Sequence, residues 1–257
     1  MTEERPDIAR IVTHATILGD LAIISIPDND KTLRIQIVEA LIGSHKKVRT
    51  VLNKTSLVSG DARVPHFELL YGENTIAHYA ENGFIYAFDA RKVFFNPRMS
   101  FEHRRIAGLV KPGESIFLPF CGAGPFALPI AAAGCRVLAL DSNADACKWL
   151  TTNARDNKVS DYIDVLNADI LRAPLKTKFD RAVVPAPYLM DNALGVSMRY
   201  VKAGGHVHFY AFKKKHELET LILSYERMGL AVEHYRACGN VAHDVKRWAF
   251  DLRLHPP

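Results

Sequence analysis

The chain has 257 residues, of which 48% are hydrophobic and 24% are charged. This balance is typical of a globular protein and excludes a disordered chain. No apolar run approaches the roughly 20 residues that a membrane-spanning helix needs, and the polar, acidic start is unlike a signal peptide. We therefore expect a cytoplasmic protein without a membrane partner, and its net charge of +5 is compatible with an anionic partner such as RNA.

The cysteines exclude two further classes of protein. Four of them are scattered through the chain without a Cys-x-x-Cys pair: Cys121, Cys135, Cys147 and Cys238. Such spacing fits neither a disulfide framework nor a zinc knuckle. We expect free, buried thiols and no metal.

The first part of the chain is rich in short β-type runs. They are Leu21–Ile26, Val48–Leu52, Phe67–Tyr71 and Phe84–Phe88. One helix interrupts them at Thr32–Ser44, where Leu33, Ile35, Ile37, Val38, Leu41 and Ile42 form an apolar stripe. The pair Asn82-Gly83 favours a tight hairpin turn. These patterns predict a small α+β domain over residues 1–95.

Strands and helices alternate after Pro97, which is typical of a mainly parallel sheet covered on both faces. The predicted strands are Ser115–Phe120, Arg136–Leu140, Ile163–Leu166, Arg181–Val184, His206–Phe212, Ala231–Ala237 and Arg247–Leu254. The intervening helices are predicted to begin near Pro125, Ala144, Met190 and Lys215. Residues 96–257 are thus expected to form a Rossmann-like α/β sheet of the class I methyltransferase type, with seven strands and an antiparallel last pair.

A glycine-bearing turn joins the first of these strands to its helix. Gly122-Ala-Gly124 follows the apolar strand and leads directly into Pro125 and Phe126. Glycine allows close approach of the backbone to a ligand, proline suits the first helical position, and ligands bind at this end of open α/β sheets. We assign Phe120, Gly122, Gly124, Pro125 and Phe126 to a cofactor site.

Acidic residues end the next two strands. Asp141, followed by Ser142, is placed to accept hydrogen bonds from the ribose hydroxyls of an adenosine ligand. Asp169 is placed to accept from the adenine amino group. The alternative is that both carboxylates only cap the helices that follow them.

An ordered set of short motifs covers nearly the whole chain. It comprises Ile17–Pro27, Val48–Lys54, Gly60–Arg63, Glu68–Gly72, Val93–Arg98 and Gly122–Phe126. Together these motifs resemble the archaeal and eukaryotic tRNA guanine-37 N1-methyltransferases and the related aminocarboxypropyl transferases of wybutosine synthesis. The resemblance implies S-adenosyl-L-methionine as the cofactor and tRNA as the partner of a monomeric enzyme, with residues 1–95 binding the RNA.

The resemblance also implies catalytic roles for Glu102 and Arg63. Guanine N1 becomes a nucleophile only when a base removes its proton and a cation stabilises the charge that moves onto O6. Glu102 would be the base, and Arg63 would bind O6. The alternatives are a surface ion pair of Arg63 with Asp61 or Glu68, and a solvated Glu102 in the first turn of a helix that starts at Ser100.

The segment Pro185-Ala-Pro-Tyr188 departs from the family pattern, which has Asn-Leu-Pro after the fourth strand. We assign Pro185 to the cofactor site, and Pro187, Tyr188 and Arg98 to the substrate site. A packed aromatic at a helix start is the alternative for Tyr188. The lost asparagine keeps open aminocarboxypropyl transfer, methylation of a substrate other than tRNA, and a binding protein without catalysis.

Basic segments are candidates for contacts with RNA phosphates. They are residues 45–49, Arg91-Lys92, Arg104-Arg105 and residues 212–216. A solvated lysine-rich helix face is the alternative for the last of them. We expect no counterpart here of the extra N-terminal module that many relatives of the family carry.

Overall fold

The computed structural model describes residues 8–26, 31–55, 65–173 and 175–256. The chain divides into two compact units, Met1–Phe95 and Asn96–Pro257. The functions assigned to these two parts of the chain stay predictions. None of the helices within the described ranges is long and apolar enough to cross a membrane.

In its described residues, the N-terminal unit contains two helices and six strands. They are α1 Ile8–Thr13, β1 Thr16–Leu18, β2 Leu21–Ile24, α2 Lys31–Ser44, β3 Thr50–Lys54, β4 Phe67–Tyr71, β5 Ile76–Glu81 and β6 Phe84–Asp89. One sheet has the order β1-β2-β3-β4, and β5 pairs with β6. Helix α2 buries Leu33, Ile37, Val38 and Leu41, but Ile35 is 59% exposed, so its place in the predicted stripe was wrong.

The predicted hairpin of the N-terminal unit is confirmed. Glu81 pairs with Phe84, so Asn82 and Gly83 alone form the loop. Their φ angles are 50° and 87°, as a two-residue turn that follows the twist of the strands requires. Strand β1 and helix α1 were not predicted, because segments of three and six residues carry little periodic signal.

The C-terminal unit contains five helices, seven strands and three short 3-10 turns among the described residues. They are Pro97–Met99 (3-10), α3 Ser100–Leu109, β7 Ser115–Pro119, α4 Ala127–Ala132, β8 Arg136–Asp141, α5 Ala144–Asp156, Ser160–Tyr162 (3-10), β9 Ile163–Asn167, β10 Phe179–Val184, α6 Asn192–Met198, β11 Val201–Lys214, Lys215–Glu217 (3-10), α7 Leu218–Arg227, β12 Leu230–Ala242 and β13 Val245–Leu254.

The seven strands form one sheet in the order β12-β13-β11-β10-β7-β8-β9. Strands β7 to β11 are parallel, and β13 runs antiparallel to both β11 and β12. The predicted fold class is therefore confirmed. The five parallel strands end at one edge of the sheet, which we call the carboxyl edge.

Several predicted boundaries were wrong. Helix α4 begins at Ala127, because residues 122–126 form turns that keep Pro125 outside the helix. Helix α6 begins at Asn192 instead of Met190. Strands β11, β12 and β13 are longer than predicted, because their antiparallel pairing continues to Lys214 and Val245 beyond the ends of the neighbouring parallel strands.

Candidate active site

The glycine loop after β7 makes a sharp turn at the carboxyl edge. Phe120, Gly122 and Gly124 all have positive φ angles, of 57°, 53° and 97°. Such a conformation costs little for glycine but strains phenylalanine. The Cys121 N–H donates to the carbonyl of Leu140 at 3.2 Å, and the Gly124 N–H donates to the carbonyl of Cys121 at 3.0 Å. The loop is therefore held against the end of β8.

Asp141 connects this loop to the next helix. Its carboxylate accepts from the Gly122 N–H and from the Asn143 N–H, at 2.9 Å each. Burial raises the pKa of the Asp141 carboxyl, and these two hydrogen bonds oppose the increase. The residue that caps helix α5 is Asn143, so the capping alternative for Asp141 is wrong.

Gly124 is required by packing within the protein. A Cβ at this position would overlap the side chain of Leu150 and lie 2.7 Å from Leu128 Cδ1. The glycine therefore lets helices α4 and α5 approach the loop closely. This reason differs from the close approach of a ligand that the sequence suggested.

Asp169 lies in a turn two residues after the end of β9. Its Oδ1 accepts from the Leu171 N–H at 3.0 Å, and no helix begins there in the described chain. Asn167, which the sequence did not single out, donates from Nδ2 to the carbonyls of Asp141 and Ser142 at 2.9 and 3.1 Å. It fixes the end of β8 beside the exposed Ser142.

Phe126 links the glycine loop to Glu102. It is 4% exposed and packs edge-on against His103, with ring centroids 4.6 Å apart. Its other neighbour is Tyr210, at 5.6 Å between centroids. The Tyr210 hydroxyl donates to Glu102 Oε2 at 3.0 Å. The fold thus brings a predicted cofactor segment and a predicted catalytic residue to the same place.

Glu102 is buried, with 2% of its surface exposed, so the alternative of a solvated helix residue is wrong. Arg105 Nε donates to its Oε2 at 2.8 Å, and Arg236 Nη1 donates to its Oε1 at 2.7 Å. The Arg236 guanidinium also lies 4.3 Å from the ring centroid of Phe101. Three donors therefore fix the orientation of the Glu102 carboxylate.

Paired polar and charged side chains extend from Arg105 into the sheet. Arg105 donates to both oxygens of Asp251 at 2.7 and 3.2 Å, so its predicted contact with RNA was wrong. Asp251 Oδ1 lies 2.6 Å from His208 Nδ1, and Arg181 Nη1 lies 2.7 Å from His208 Nε2. Arg181 in turn pairs with Glu114.

The two flanking charges define the state of His208. Arginine can only donate, so Nε2 accepts from Arg181 and the proton of the neutral ring lies on Nδ1, facing Asp251. Burial lowers the pKa of His208. Burial raises the pKa of Asp251, but hydrogen bonds from His208 and Arg105 outweigh it and hold that pKa well below its usual range. The resting network therefore pairs an ionised Asp251 with a neutral His208.

The loop after β10 carries the predicted substrate residues. Pro185 and Pro187 are half-buried, and Tyr188 is 51% exposed. Its ring is nearly perpendicular to that of Phe212, with the two centroids 5.4 Å apart. Arg98 is exposed on the 3-10 turn before α3. Arg63 lies outside the described residues.

All four cysteines are free. Burial raises the pKa of Cys238 to about 12, so this thiol is protonated at neutral pH. Across the part of the chain that the structure describes, no group of three or more His, Cys, Asp or Glu side chains could hold a metal ion.

Tyr210, His208 and Asp251 are residues beside Glu102 and Arg105 that the sequence did not point to. Their signal is the alternation of polar and apolar residues along β11 and β13. That alternation ordinarily indicates a solvated face, and here α3 covers it.

The strand order, the single antiparallel strand β13 and the acidic end of β8 beside a glycine loop define the fold of a class I methyltransferase. Within this class, the chain belongs to the family of the TRM5/TYW2 methyltransferase domain, whose model matches residues 76–233. Residues 5–75 match the TYW2 N-terminal domain.

Relatives of this chain are named for tRNA methylation. A tRNA (guanine(37)-N(1))-methyltransferase of Danio rerio is 36% identical over 63% of this chain, which spans 34% of that protein. The Trm5b enzyme of Pyrococcus abyssi is 32% identical over 78% of this chain and 60% of its own length. A solved complex of aTrm5 with tRNALeu superposes with a TM-score of 0.87 at 27% identity, covering 94% of this chain and 72% of that one.

Proposed function

We propose that this protein transfers a methyl group from S-adenosyl-L-methionine to N1 of guanosine 37 in tRNA. The observation that carries this proposal is the buried, oriented carboxylate of Glu102, which is joined through Tyr210 and Phe126 to the glycine loop. Membership of the family supports the same reaction. The chain spans only about a third of the zebrafish relative, so the substrate of the whole relative is carried over as part of the proposal.

The described residues fit an adenosine-bearing cofactor. Each oxygen of Asp141 accepts one backbone N–H, and a carboxylate has about four lone-pair sites, so sites remain for both ribose hydroxyls. Phe120, Ser142, Asp169 and Pro185 lie at or beside the carboxyl edge and would complete the site. When bound, S-adenosyl-L-methionine supplies an electrophilic methyl group whose leaving group departs uncharged.

Glu102 would act as the general base. Three of its roughly four lone-pair sites are occupied by Arg105, Tyr210 and Arg236. The remaining site can accept the proton of guanine N1, and the three donors hold the carboxylate in one orientation. Removal of this proton makes N1 nucleophilic, and alignment with the methyl group supplies much of the remaining rate.

The exposed ring of Tyr188 supports its assignment to the target base, because single-stranded RNA is recognised by stacking of unpaired bases on aromatic side chains. Pro187 and Arg98 complete the proposed substrate contacts. The role of Arg63 at O6 and the RNA-binding role of residues 1–95 stay predictions.

The test is a transfer assay on an unmodified tRNA transcript that carries guanosine 37. Cofactor labelled in the methyl group is compared with cofactor labelled in the carboxyl group. We expect methyl counts that fall by about 10²- to 10⁴-fold in Glu102→Gln, the usual contribution of general base catalysis. Glu219→Gln is the matched control, because Glu219 is also in the first turn of a helix but is exposed.

A second candidate function is transfer of the aminocarboxypropyl group to tRNA. The match of residues 5–75 to the TYW2 N-terminal domain favours it, whereas Gly124-Pro-Phe126 is the form kept by the methyltransferases. Counts from the carboxyl label alone would establish this second function. No transfer from either label, with cofactor binding intact, would refute both and leave a substrate other than tRNA or a binding protein.

A further inference from the structure

Helix α3 carries a large apolar side chain that the fold leaves in solvent. Phe101 is 54% exposed, whereas Glu102 and His103, which follow it on the helix, are buried. Single exposed apolar residues are ordinary in proteins, so exposure alone indicates no function. What distinguishes Phe101 is that it directly precedes Glu102, the proposed general base.

The ring of Phe101 is held in place beside that residue. The Arg236 guanidinium lies over the ring, 4.3 Å from its centroid, which is within the range of a cation–π contact. The same guanidinium donates to Glu102 Oε1 at 2.7 Å, so one cation joins the ring to the carboxylate. Because more than half of Phe101 is exposed, its ring remains accessible to a second flat group.

Two further arginines flank Phe101 on the same side of the helix. Arg98 precedes it by three residues and Arg104 follows it by three, and residues at this spacing are neighbours on a helical surface. Both are exposed, and neither side chain forms an ion pair or a hydrogen bond with another described residue. An aromatic ring among such cationic side chains is the pattern by which proteins bind the nucleobases and phosphates of a single-stranded nucleic acid.

The proposed reaction creates a nucleobase that needs such a ring. Enzymes that modify a nucleobase take it out of its stack. The guanine that reaches Glu102 therefore leaves the nucleotides on its two sides without their stacking partner. Unpaired nucleobases of RNA are bound by stacking on aromatic side chains, and Phe101 offers an accessible ring one residue from the point where the target guanine is deprotonated.

We infer that Phe101 stacks on a nucleobase next to the target guanine, at position 36 or 38 of the tRNA. This inference rests on the proposed function. The target itself is assigned to Tyr188, so the guanine and its neighbour have separate aromatic contacts. The Phe101 ring replaces the stacking that the neighbour loses, and Arg98 and Arg104 are available to the phosphates beside it.

The experiment is a double-mutant cycle between the ring and the RNA. Wild type and Phe101→Ala are each tested with the guanosine-37 transcript and with transcripts that lack the nucleobase at position 36 or at position 38. Filter binding measures Kd for RNA, and methyl transfer measures KM and kcat. Removal of a nucleobase alters the free RNA equally for both proteins, so that effect cancels in the cycle.

We expect Phe101→Ala to raise Kd and KM for the intact transcript by about 5- to 150-fold, the usual contribution of one base–aromatic stack. The contact is made equally before and during the reaction, so kcat should change by less than about threefold. Loss of the nucleobase at one of the two positions should raise Kd by a similar factor in wild type, but by less than about twofold in Phe101→Ala.

Two further variants control for the loss of an aromatic residue. Phe101→Tyr keeps a ring and should keep the wild-type Kd and KM. Tyr162→Ala removes an aromatic residue that is 46% exposed on the 3-10 turn just before β9, at the end of that strand opposite the carboxyl edge. It should leave Kd and KM unchanged.

Three results would overturn the inference. Unchanged Kd and KM in Phe101→Ala would leave the ring without a contact to RNA. A fall in kcat alone would show that the ring acts only on Arg236 and Glu102. Equal effects of nucleobase removal in wild type and Phe101→Ala, at both positions, would show that the ring stacks on neither neighbour. Absence of methyl transfer by wild type would refute the proposed function itself, whereas the Kd values would still decide the contact of Phe101.

Discussion

The carboxyl edge of the sheet is built differently on its two sides. Around β7 and β8, backbone N–H groups and one carboxylate form the site, and the residues that meet are close in sequence: Gly122 and Asp141 are 19 residues apart. Around β11, β12 and β13, charged side chains form the site, and Glu102 meets Tyr210 and Arg236 across 108 and 134 residues.

Because of this difference, we expect the two sides to respond differently to substitution. Positions in the glycine loop are constrained by backbone conformation and by the space around them. The other side contains an ionic network, formed by Glu102, Arg105, Arg236, His208 and Asp251. Its positions are constrained by pairing, because removal of one partner leaves another charge buried.

Removal of Asp251 should have the largest effect on stability. Asp251→Ala leaves Arg105 and His208 without their shared acceptor. We expect the free energy of unfolding to fall by about 3–5 kcal/mol, as for other broken buried ion pairs. Urea denaturation of the full chain measures it. In the control Asp156→Ala, which breaks an exposed pair with Arg155, the loss should stay below about 1 kcal/mol. Equal losses would contradict a network that is sensitive to pairing.

Asp141→Asn should mainly weaken binding of the proposed cofactor beside β7 and β8. The amide has one acceptor oxygen instead of two, so it cannot serve both backbone N–H groups and the ribose hydroxyls. We expect the Kd for S-adenosyl-L-methionine to rise by about 100-fold, which corresponds to roughly 2.7 kcal/mol, in isothermal titration calorimetry. Asp164→Asn, at an exposed position of β9, should leave Kd unchanged. An unaltered Kd in Asp141→Asn would remove Asp141 from the cofactor site.

Gly124→Ala tests the constraint on space in the loop. The new Cβ would overlap Leu150, and the φ angle of 97° disfavours any side chain, so we expect a loss of about 2 kcal/mol in the free energy of unfolding. Gly108→Ala is the control of opposite sign. Gly108 is in helix α3 with open space around its Cβ position, and alanine should stabilise it by about 0.4–1 kcal/mol.

His208→Gln should change how stability depends on pH. The folded-state pKa of His208 is lowered, so its unfolded state binds a proton first, near pH 6.5. Its contribution is therefore present above about pH 6.5 and is lost as the pH falls towards the folded-state pKa, by at most about 1.4 kcal/mol per pH unit. Glutamine can still accept from Arg181 and donate to Asp251, but it does not titrate.

Chemical denaturation at pH 8, 6.5 and 5.5 measures this change. We expect a flatter dependence in His208→Gln than in wild type. His234→Gln, at an exposed position of β12, should keep the slope of wild type. A parallel decline in all three proteins would show that other groups, such as His206, cause the acid sensitivity.

The geometry around β7 and β8, where we propose the cofactor binds, could be predicted from the sequence because its parts follow one another along the chain. The apolar strand, Gly122, Gly124 and Asp141 form a contiguous pattern, and the resemblance of the motifs added Glu102. The structure differs from the prediction at two points: helix α4 begins later than predicted, and Gly124 is required by packing within the protein. Neither the turn at Pro125 nor the packing of Leu150 leaves a periodic signal in the sequence.

The ionic network around β11, β12 and β13 could not be predicted in the same way. His208 and Asp251 alternate with apolar residues along their strands, a pattern that also fits a solvated sheet face. Only the placement of α3 over this face distinguishes the two cases. That placement depends on contacts between distant parts of the chain, such as Arg105 with Asp251, which no local pattern encodes.

The separation between Arg105 and Asp251 also affects how the protein is made. The two residues lie 146 positions apart, so at about 5–20 residues per second the ribosome needs roughly 7–30 seconds to pass from one to the other. During this interval Arg105 and Glu102 have emerged without β13. Helix α3 therefore cannot complete its docking during synthesis of the parallel strands, and the proposed catalytic carboxylate is fixed in place only as a late step of folding.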